Sequence, residues 1–546
     1  MKSRSKTSFL KLVIPVVIIA GIMLFITKSR AENDFNIPSK PNILQGSEWW
    51  NNDFAFRKKV ITSSEIDQVI KINHSQMVID NKSIQDGSDL RVVAYEGTES
   101  KEVPMDITNP DTSETLINFS KSKNVTDVYL YYGNKSDLPE PTIRSEDLST
   151  LKENASLSEE ETPELLVTTQ KKWNLKEKDS QLILQVADQL KQGDTIYYYL
   201  LDNEQTPRNM EVQNGFSTIN PIDIQPGDHN IFLIKKSGVN ITRSNSSRFI
   251  LSEPIYIAWT VDWEGIDPGK PNIENISKTA VEFKIPITHF FSPRTIISTK
   301  ITEPRKKEII NWIKDRVNNF GDDLAMNLHF QFDLVDAAGV DPKYSEKTWD
   351  NGISGYDMPG TVYDYNEYLK ILNWGKQKLI DAGLPSPKGF RAGGWFINDD
   401  NLRAVKDAGF VYDSSAIKPT ELGENKMMQD WETTSITQPY KISQKDKNSS
   451  DDPTLGILEV PINGGDTYIN SAEEILQNFK DNYSYNTYSN TSKLIVYSSS
   501  PDWFDTSKDG VENLFATVSN YRYDRDRGPV KFITLNEWLD KSNTGK

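Results

Sequence analysis

Several short stretches beyond Ile255 carry residue types able to do hydrolytic chemistry. In Thr260-Val261-Asp262-Trp263-Glu264, two acids stand two apart at the end of an apolar run. Residues so spaced on a strand share a face, so Asp262 and Glu264 can point at one site. Two carboxylates there can divide into a general base and a metal ligand. Taken alone, they are as readily a pair of exposed strand-end charges. His289 lies near the end of a second apolar run, Ile285 to Phe291, where a single histidine is more often structural. His329 and Asp333 are four apart, on one side if the segment turns helical. A mixed His and Asp pair suits Zn²⁺ or a similar divalent ion. Arg391, beside Gly393-Gly394, can pair with a catalytic carboxylate and hold it charged. Trp263, Trp395 and Trp503 fall near expected strand ends and could stack on sugar rings, although core packing explains them nearly as well. The chain has no cysteine, which removes thiol nucleophiles, thiolate metal sites and disulfides.

The elements that must position these residues alternate. Ile255 to Val261, Leu494 to Tyr497 and Lys531 to Thr534 read as apolar strands. Pro304 to Asn319, Tyr365 to Ala382 and Asn401 to Ala408 read as amphipathic helices, the last capped by Asn398-Asp399-Asp400. Alternating β and α over residues 254–546 predicts an α/β barrel or parallel sheet. In such folds chemistry sits at the C-terminal ends of the strands, where these residues fall.

The order of strand-Asp262, Pro286-x-Thr288-x-Phe290-Phe291, a His329 motif, Arg391-Ala392-Gly393-Gly394-Trp395 and Gly409-Phe410-x-Tyr412-Asp413-Ser414-Ser415 resembles the polysaccharide deacetylase family, from Ile255 to about Lys541. The resemblance implies a distorted (β/α)₇ barrel and metal-assisted removal of acetyl groups from glycans, with zinc the expected ion. Carried over residue by residue, Asp262 matches the catalytic base, Glu264 a carboxylate metal ligand and His329 one of two metal-binding histidines. Arg391 matches the arginine that pairs with the base, and Asp413 an aspartate that organises the site. The chain departs from the pattern in three places. Trp263 separates acids that are commonly adjacent. The second metal-binding histidine is replaced by Asn327 or Asp333, of which Asp333 can ligate. The strand Leu494 to Tyr497 runs into Ser498-Ser499-Ser500-Pro501-Asp502-Trp503 where the family has a histidine that protonates the leaving amine. A missing general acid costs about 10²- to 10⁴-fold in rate. His289 and Asp502 are the residues able to stand in, and with Trp395 and Trp503 they are the candidates for contact with substrate.

The first half reads differently. Residues 46–136 show short alternating runs separated by Asn, Asp, Gly and Ser, which predict a β-sandwich. Trp50 before Arg57, Gly87-Ser88-Asp89-Leu90-Arg91 and Tyr131-Tyr132-Gly133-Asn134 resemble an uncharacterised β-sandwich domain of prokaryotic surface proteins, which implies a lectin-like or adhesive module. Trp49 and Trp50 could bind sugar there, though such residues are more often core. Residues 137–163 read as a Pro-, Glu- and Ser-rich linker. Residues 164–253 predict an immunoglobulin-like sandwich acting as a spacer.

Lys2, Arg4 and Lys6 precede an apolar run from Leu12 to Ile26. Residues 1–30 are therefore expected to form a membrane anchor, with a cleaved signal peptide as the rival reading, 31–45 a tether and the bulk outside. Twelve Asn-x-Ser/Thr sequons agree with that location. A net charge of −16 argues against a nucleic-acid partner and identifies no other; a glycan or cell-wall polysaccharide is the partner that the resemblance implies. A deacetylase leads these expectations, with a glycan-binding protein without turnover second and a plain structural surface protein third.

Overall fold

The structure, a computed structural model, describes residues 49–51, 54–80, 82–97, 99–134, 152–190, 195–344, 348–349 and 357–543. The expected anchor and tether lie outside the described residues. Among the described residues, no helix is long and apolar enough to cross a membrane.

The first unit is built from two antiparallel sheets over one core. The larger runs Glu99–Val103, Arg91–Glu96, Asp127–Tyr132, Phe56–Ile61, Ser156–Glu161, and the smaller Asp67–Ile72, Thr115–Ser120, Met105–Thr108. Inward residues such as Ile70, Val92, Ile117 and Leu130 meet between them, as period-two alternation requires. Trp49 is buried, its indole donating to the Phe54 carbonyl at 3.0 Å. The Arg57 guanidinium lies 4.8 Å over its ring, so this tryptophan packs in the domain and is closed to sugar. The expected linker 137–163 is corrected in part: Ser156–Glu161 is the sheet's edge strand, antiparallel to Phe56–Ile61. Its Ser-Leu-Ser-Glu-Glu-Glu composition hides a strand because an edge keeps one side in water. Glu161 is tied to buried Arg57 at 2.8 Å.

The second unit is also a sandwich. Phe216–Ile219, Leu182–Asp188 and Leu165–Thr169 face the five-stranded sheet Trp173–Leu175, Asn240–Ser252, Gly227–Ser237, Thr195–Leu201, Arg208–Met210. Leu184, Leu233 and Phe249 fill the space between them. Asn245 holds the two sheets together, accepting from Val167 N and donating to Val167 O. Four of the sequon asparagines, Asn118, Asn134, Asn245 and Asn482, are buried, and their amides are closed to a glycan.

The third unit carries a curved, mostly parallel sheet. Its order is Tyr440–Ser443, Thr454–Glu459, Tyr412–Asp413, Gly389–Ala392, Asp323–Leu328, Ile287–Phe291, Ile255–Asp262, Lys493–Ser499, Gly465–Asp466, with Val530–Phe532 also pairing Ile255–Asp262. Every residue of Ile255–Asp262 is buried, as expected for a central parallel strand with both faces covered. Helices Lys270–Phe283, Glu303–Asn319, Tyr365–Asp381, Asp399–Asp407 and Phe504–Ser519 pack around it through residues such as Ile276, Ile309, Ile371, Leu402 and Phe515. Residues 460–464 join Thr454–Glu459 on one side of the sheet to Gly465–Asp466 at its other edge. There Asn463 imitates a strand, donating to Leu494 O and accepting from Val496 N, both at 2.9 Å. The curl gathers the C-terminal strand ends around one mouth.

Candidate functional site

Asp262 ends the first strand of this sheet, and its side chain is held by a neighbour three strands along. Arg391 is wholly buried and donates from Nη1 to Asp262 Oδ1 at 2.6 Å and to Thr260 Oγ1 at 2.8 Å. Its other nitrogens donate to Ser414: Nε to the carbonyl at 2.8 Å and Nη2 to Oγ at 2.7 Å. Phe290 packs under the guanidinium at 3.8 Å. A buried charge needs this full set of partners, because an unpaired one is strongly destabilising. The second Asp262 oxygen accepts from Ser498 Oγ at 3.0 Å.

Above Asp262 opens a cleft of about 330 Å³. Asp262, Glu264, Asn327, His329, Trp395, Asp466, Ser500 and Trp503 line it, with Trp349 and Tyr468 on its walls. Glu264 accepts from Ser500 Oγ at 3.1 Å. Burial, then the charges of Asp357 and Asp262, raise its pKa against the pull of His329. His329 Nδ1 meets Asp357 Oδ2 at 2.6 Å, which leaves Nε2 for the cleft. Burial alone would lower the His329 pKa, but Asp357, Glu264 and Asp262 outweigh it and raise it to about 9. The ring lies against Gly393, where an added Cβ would stand 2.8 Å from it, so a glycine is required at that turn. Trp503 is stacked on Tyr468 with centroids 5.6 Å apart, and both rings are exposed at the rim.

Other expected residues are placed elsewhere. Asp333 is not among the cleft-lining residues. Phe330–Gln331 is extended and the helix begins only at Phe332, so the four-residue spacing from His329 never becomes one helical face. Asp333 instead receives Arg294 Nε at 2.7 Å. His289 is buried on the helix side of the sheet, its Nε2 2.9 Å from Asp322 and its ring against Trp312. Burial lowers its pKa, and it has no path to the cleft floor. Trp263 is likewise core, packed on Phe291 and Trp312. Asp413 lies beneath Arg391 as the register partner of Glu459. Burial, then the charge of Asp413, push the Glu459 carboxyl well up, so Glu459 is the protonated member and donates to Asp413. Asp502 shares Ser500 with Glu264, and burial followed by the Glu264 charge pushes its carboxyl well up.

Two further acids carry no motif, Asp357 behind His329 and Asp466 in the cleft lining. Asp357 sits on the two-residue strand Asp357–Met358, brought to His329 by antiparallel pairing with Phe330–Gln331. Asp466 ends the apolar stretch Ile457 to Gly465, and the Gly-Gly-Asp turn there was the one available signal. Burial, then the charge of Asp262, raise its pKa to about 7 against backbone N–H bonds from Tyr468 and Ile469.

The fit to a metal is partial. His329, oriented by a carboxylate on its far nitrogen, is presented as metal-bound imidazoles are. Glu264 is a second donor, and the Asn327 amide oxygen is buried without a hydrogen-bond partner. A catalytic zinc is held by three His, Cys or carboxylate side chains. Among the described residues, no group of three or more is placed to hold a metal ion. The donor set therefore does not fit a resident zinc, and no chemical step is derived through one.

No family model matches the chain, and no curated protein matches it. Among solved structures it is similar to a protein from Mycobacterium smegmatis solved as a candidate polysaccharide deacetylase, at 14% identity over 54% of this chain and 91% of that one, with a TM-score of 0.34. It is similar to the peptidoglycan deacetylase PdaC from Bacillus subtilis, at 12% identity over 54% and 93%, TM-score 0.27. A CE4 family pseudoenzyme from Bacillus anthracis matches at 9% identity over 53% and 66%, TM-score 0.27. At such scores the site must be argued from its own geometry.

Proposed function

We propose that the third unit is a distorted (β/α)₇ barrel that hydrolyses acetyl groups on a cell-surface or cell-wall polysaccharide. One observation carries the reading: Asp262, held by Arg391 at 2.6 Å at the floor of an aromatic-walled cleft. A carboxylate held in place beside such a cleft is equipped to take a proton from water attacking a carbonyl carbon. Arg391 fixes its orientation, and Asp413 with Glu459 braces the strand behind Arg391. Trp395 and the Trp503–Tyr468 pair offer flat apolar faces of the kind that hold sugar rings. In this reading residues 1–30 anchor the chain in a membrane with the sandwiches and barrel outside.

The test is acetate release by the purified full-length protein from N-acetylated and O-acetylated glycans. Turnover that Asp262→Asn abolishes is the expected result. The incomplete metal donor set favours a second reading, a cleft that binds glycan without turning it over. Glycan affinity that survives chelation, with no acetate released, would select it.

A further inference from the structure

A buried polar atom without a hydrogen-bond partner is costly, so one that stands in a cleft points to a partner brought by a ligand. Among the described residues that line the cleft, two carry such a side-chain atom: Asn327, at Oδ1, and Trp349, at Nε1. The first accepts and the second only donates. We propose that the two together recognise an acetamido group, Asn327 Oδ1 accepting its N–H and Trp349 Nε1 donating to its carbonyl oxygen, so that the cleft selects N-acetylated over O-acetylated sugars. The inference rests on the reading of the cleft as a site for acetylated glycan.

Both atoms are placed by the fold. Along the strand Asp323–Leu328, Met326 and Leu328 join the core on the helix side, whereas Ala325 packs inside the curl of the sheet. Side chains alternate along a strand, so Asn327 points inward with Ala325. It is the register partner of Arg391, which sets it beside the Arg391–Asp262 pair. Only 2% of its surface is exposed. Trp349 stands on the wall, its ring against His329 with centroids 5.2 Å apart. The backbone before it is held from two sides: Thr348 Oγ1 donates to the Asp357 carbonyl at 2.7 Å, and Asn425 Nδ2 donates to the Thr348 carbonyl at 2.8 Å. Gly423 approaches so closely that an added Cβ would stand 2.1 Å from the Trp349 carbonyl oxygen.

This pairing of one acceptor with one donor selects a ligand class. A cation would satisfy Asn327 and leave the indole N–H unmet, and an anion would do the reverse. A secondary amide carries one N–H and one C=O, on opposite edges of a planar trans unit, and meets both. An acetyl ester keeps the carbonyl but sets an oxygen lone pair against Asn327 Oδ1. A site built to hydrogen-bond an N–H rejects the analogue that lacks it, because the buried acceptor is then left unpaired. The deacetylated sugar has no carbonyl for Trp349, so the same two atoms favour the acetylated ligand over the free amine.

The experiment measures binding of two probes to the full-length protein: the N-acetylglucosamine tetramer, and cellotetraose acetylated at O2 of each sugar, which exchanges N–H for O at the same carbon. Tryptophan fluorescence on rapid mixing reads affinity ahead of any turnover. The wild type should bind the N-acetyl tetramer about 5- to 150-fold more tightly, the effect of one buried acceptor left unmet by the ester. Asn327→Leu, which removes the acceptor at similar volume, should erase that preference by weakening the tetramer and not the ester. Trp349→Phe keeps a ring and removes the donor, and should weaken both probes alike, by about 2- to 10-fold. Equal wild-type affinity for the two probes, or an equal loss on both in Asn327→Leu, would overturn the assignment and leave the glycan reading standing. A loss in Trp349→Phe that is absent or confined to one probe would do the same, and it decides the matter if Asn327→Leu does not fold. A wild-type protein that binds neither probe overturns both.

Discussion

Arg391 shows how much of the site depends on one side chain. Its guanidinium is removed from water and meets Asp262, Thr260, Ser414 and Ser498. Arg391→Met should therefore leave Asp262 buried without its counter-charge, a loss of about 3–5 kcal/mol of stability. Urea unfolding of the variant, with activity lost in parallel, checks this. Asn327 is the second informative residue. Its amide oxygen lacks a partner in the cleft beside His329 and Glu264. The wild-type protein, dialysed against metal-free buffer, should retain well below one equivalent of zinc. Asn327→His supplies the third donor and should raise retention, as elemental analysis would read. A wild-type protein that keeps a full equivalent would show that the two-donor account is mistaken. At this scale the sequence was legible where a residue belonged to a motif. Asp262, Glu264, His329 and Arg391 could be named from order and spacing; the first three line one cleft, and Arg391 is buried behind Asp262. Asp357 and Asp466 could not, because each sits on a strand of two residues, too short to show a period. Asp333 misled for a related reason: a spacing of four means one face only in a helix, and the helix begins one residue before Asp333.

Among the elements, the turns after the strands decide where side chains point. Gly393 lets the His329 ring lie flat against the backbone. Gly393→Ala should push the ring off Asp357, at about 1–3 kcal/mol for overpacking, and lower the His329 pKa because its strongest ion pair is lost. Imidazole NMR titration of wild type against variant reads that shift. The short strand Gly465–Asp466 carries a pH dependence of its own. The folded-state pKa of Asp466 lies above its unfolded value, so the folded protein binds more protons than the unfolded one between the two. Its contribution is complete below the unfolded pKa and is lost as pH rises through about 7. The same sign holds for Asp323, raised to about 6 by burial. The urea midpoint of the third unit should thus fall between pH 5 and 8, and Asp466→Asn should flatten the fall. A midpoint that rises over that range would contradict the buried-acid account. Long elements were readable in advance, as the strand from Ile255 and the helix from Glu303 to Asn319 show, because their apolar spacing repeats. Ser156–Glu161 was not, since an acidic edge strand has the composition of a linker.

Across the whole molecule, the connections between units are short. Residues 162–164 alone separate the edge strand Ser156–Glu161 from Leu165–Thr169. Only Glu253 and Pro254 separate Asn240–Ser252 from the first strand of the curved sheet. Such links cannot act as flexible spacers, whose reach grows with length. The second and third units are also tied by polar contacts. Both Asp526 carboxylate oxygens accept backbone N–H groups, from Lys172 at 2.8 Å and Trp173 at 2.7 Å. Lys531 meets Glu177 at 2.9 Å, and Glu177 also receives the Tyr256 hydroxyl. Hydrogen bonds to a charged group contribute about 1.5–3 kcal/mol each, so Asp526 alone can hold the two units in one orientation. Asp526→Ala should leave each unit folded and the cleft chemistry unchanged, since Asp526 is remote from Asp262 and its partners. It should broaden the orientation between sandwich and barrel, read as an increased radius of gyration in solution scattering and faster proteolysis near Glu253. An unchanged scattering profile would mean that the two-residue link and the buried interface around Tyr256 fix the geometry without it. The sandwiches would then be a rigid stalk whose length, rather than any hinge, sets how far the cleft stands from the chain's N-terminal end.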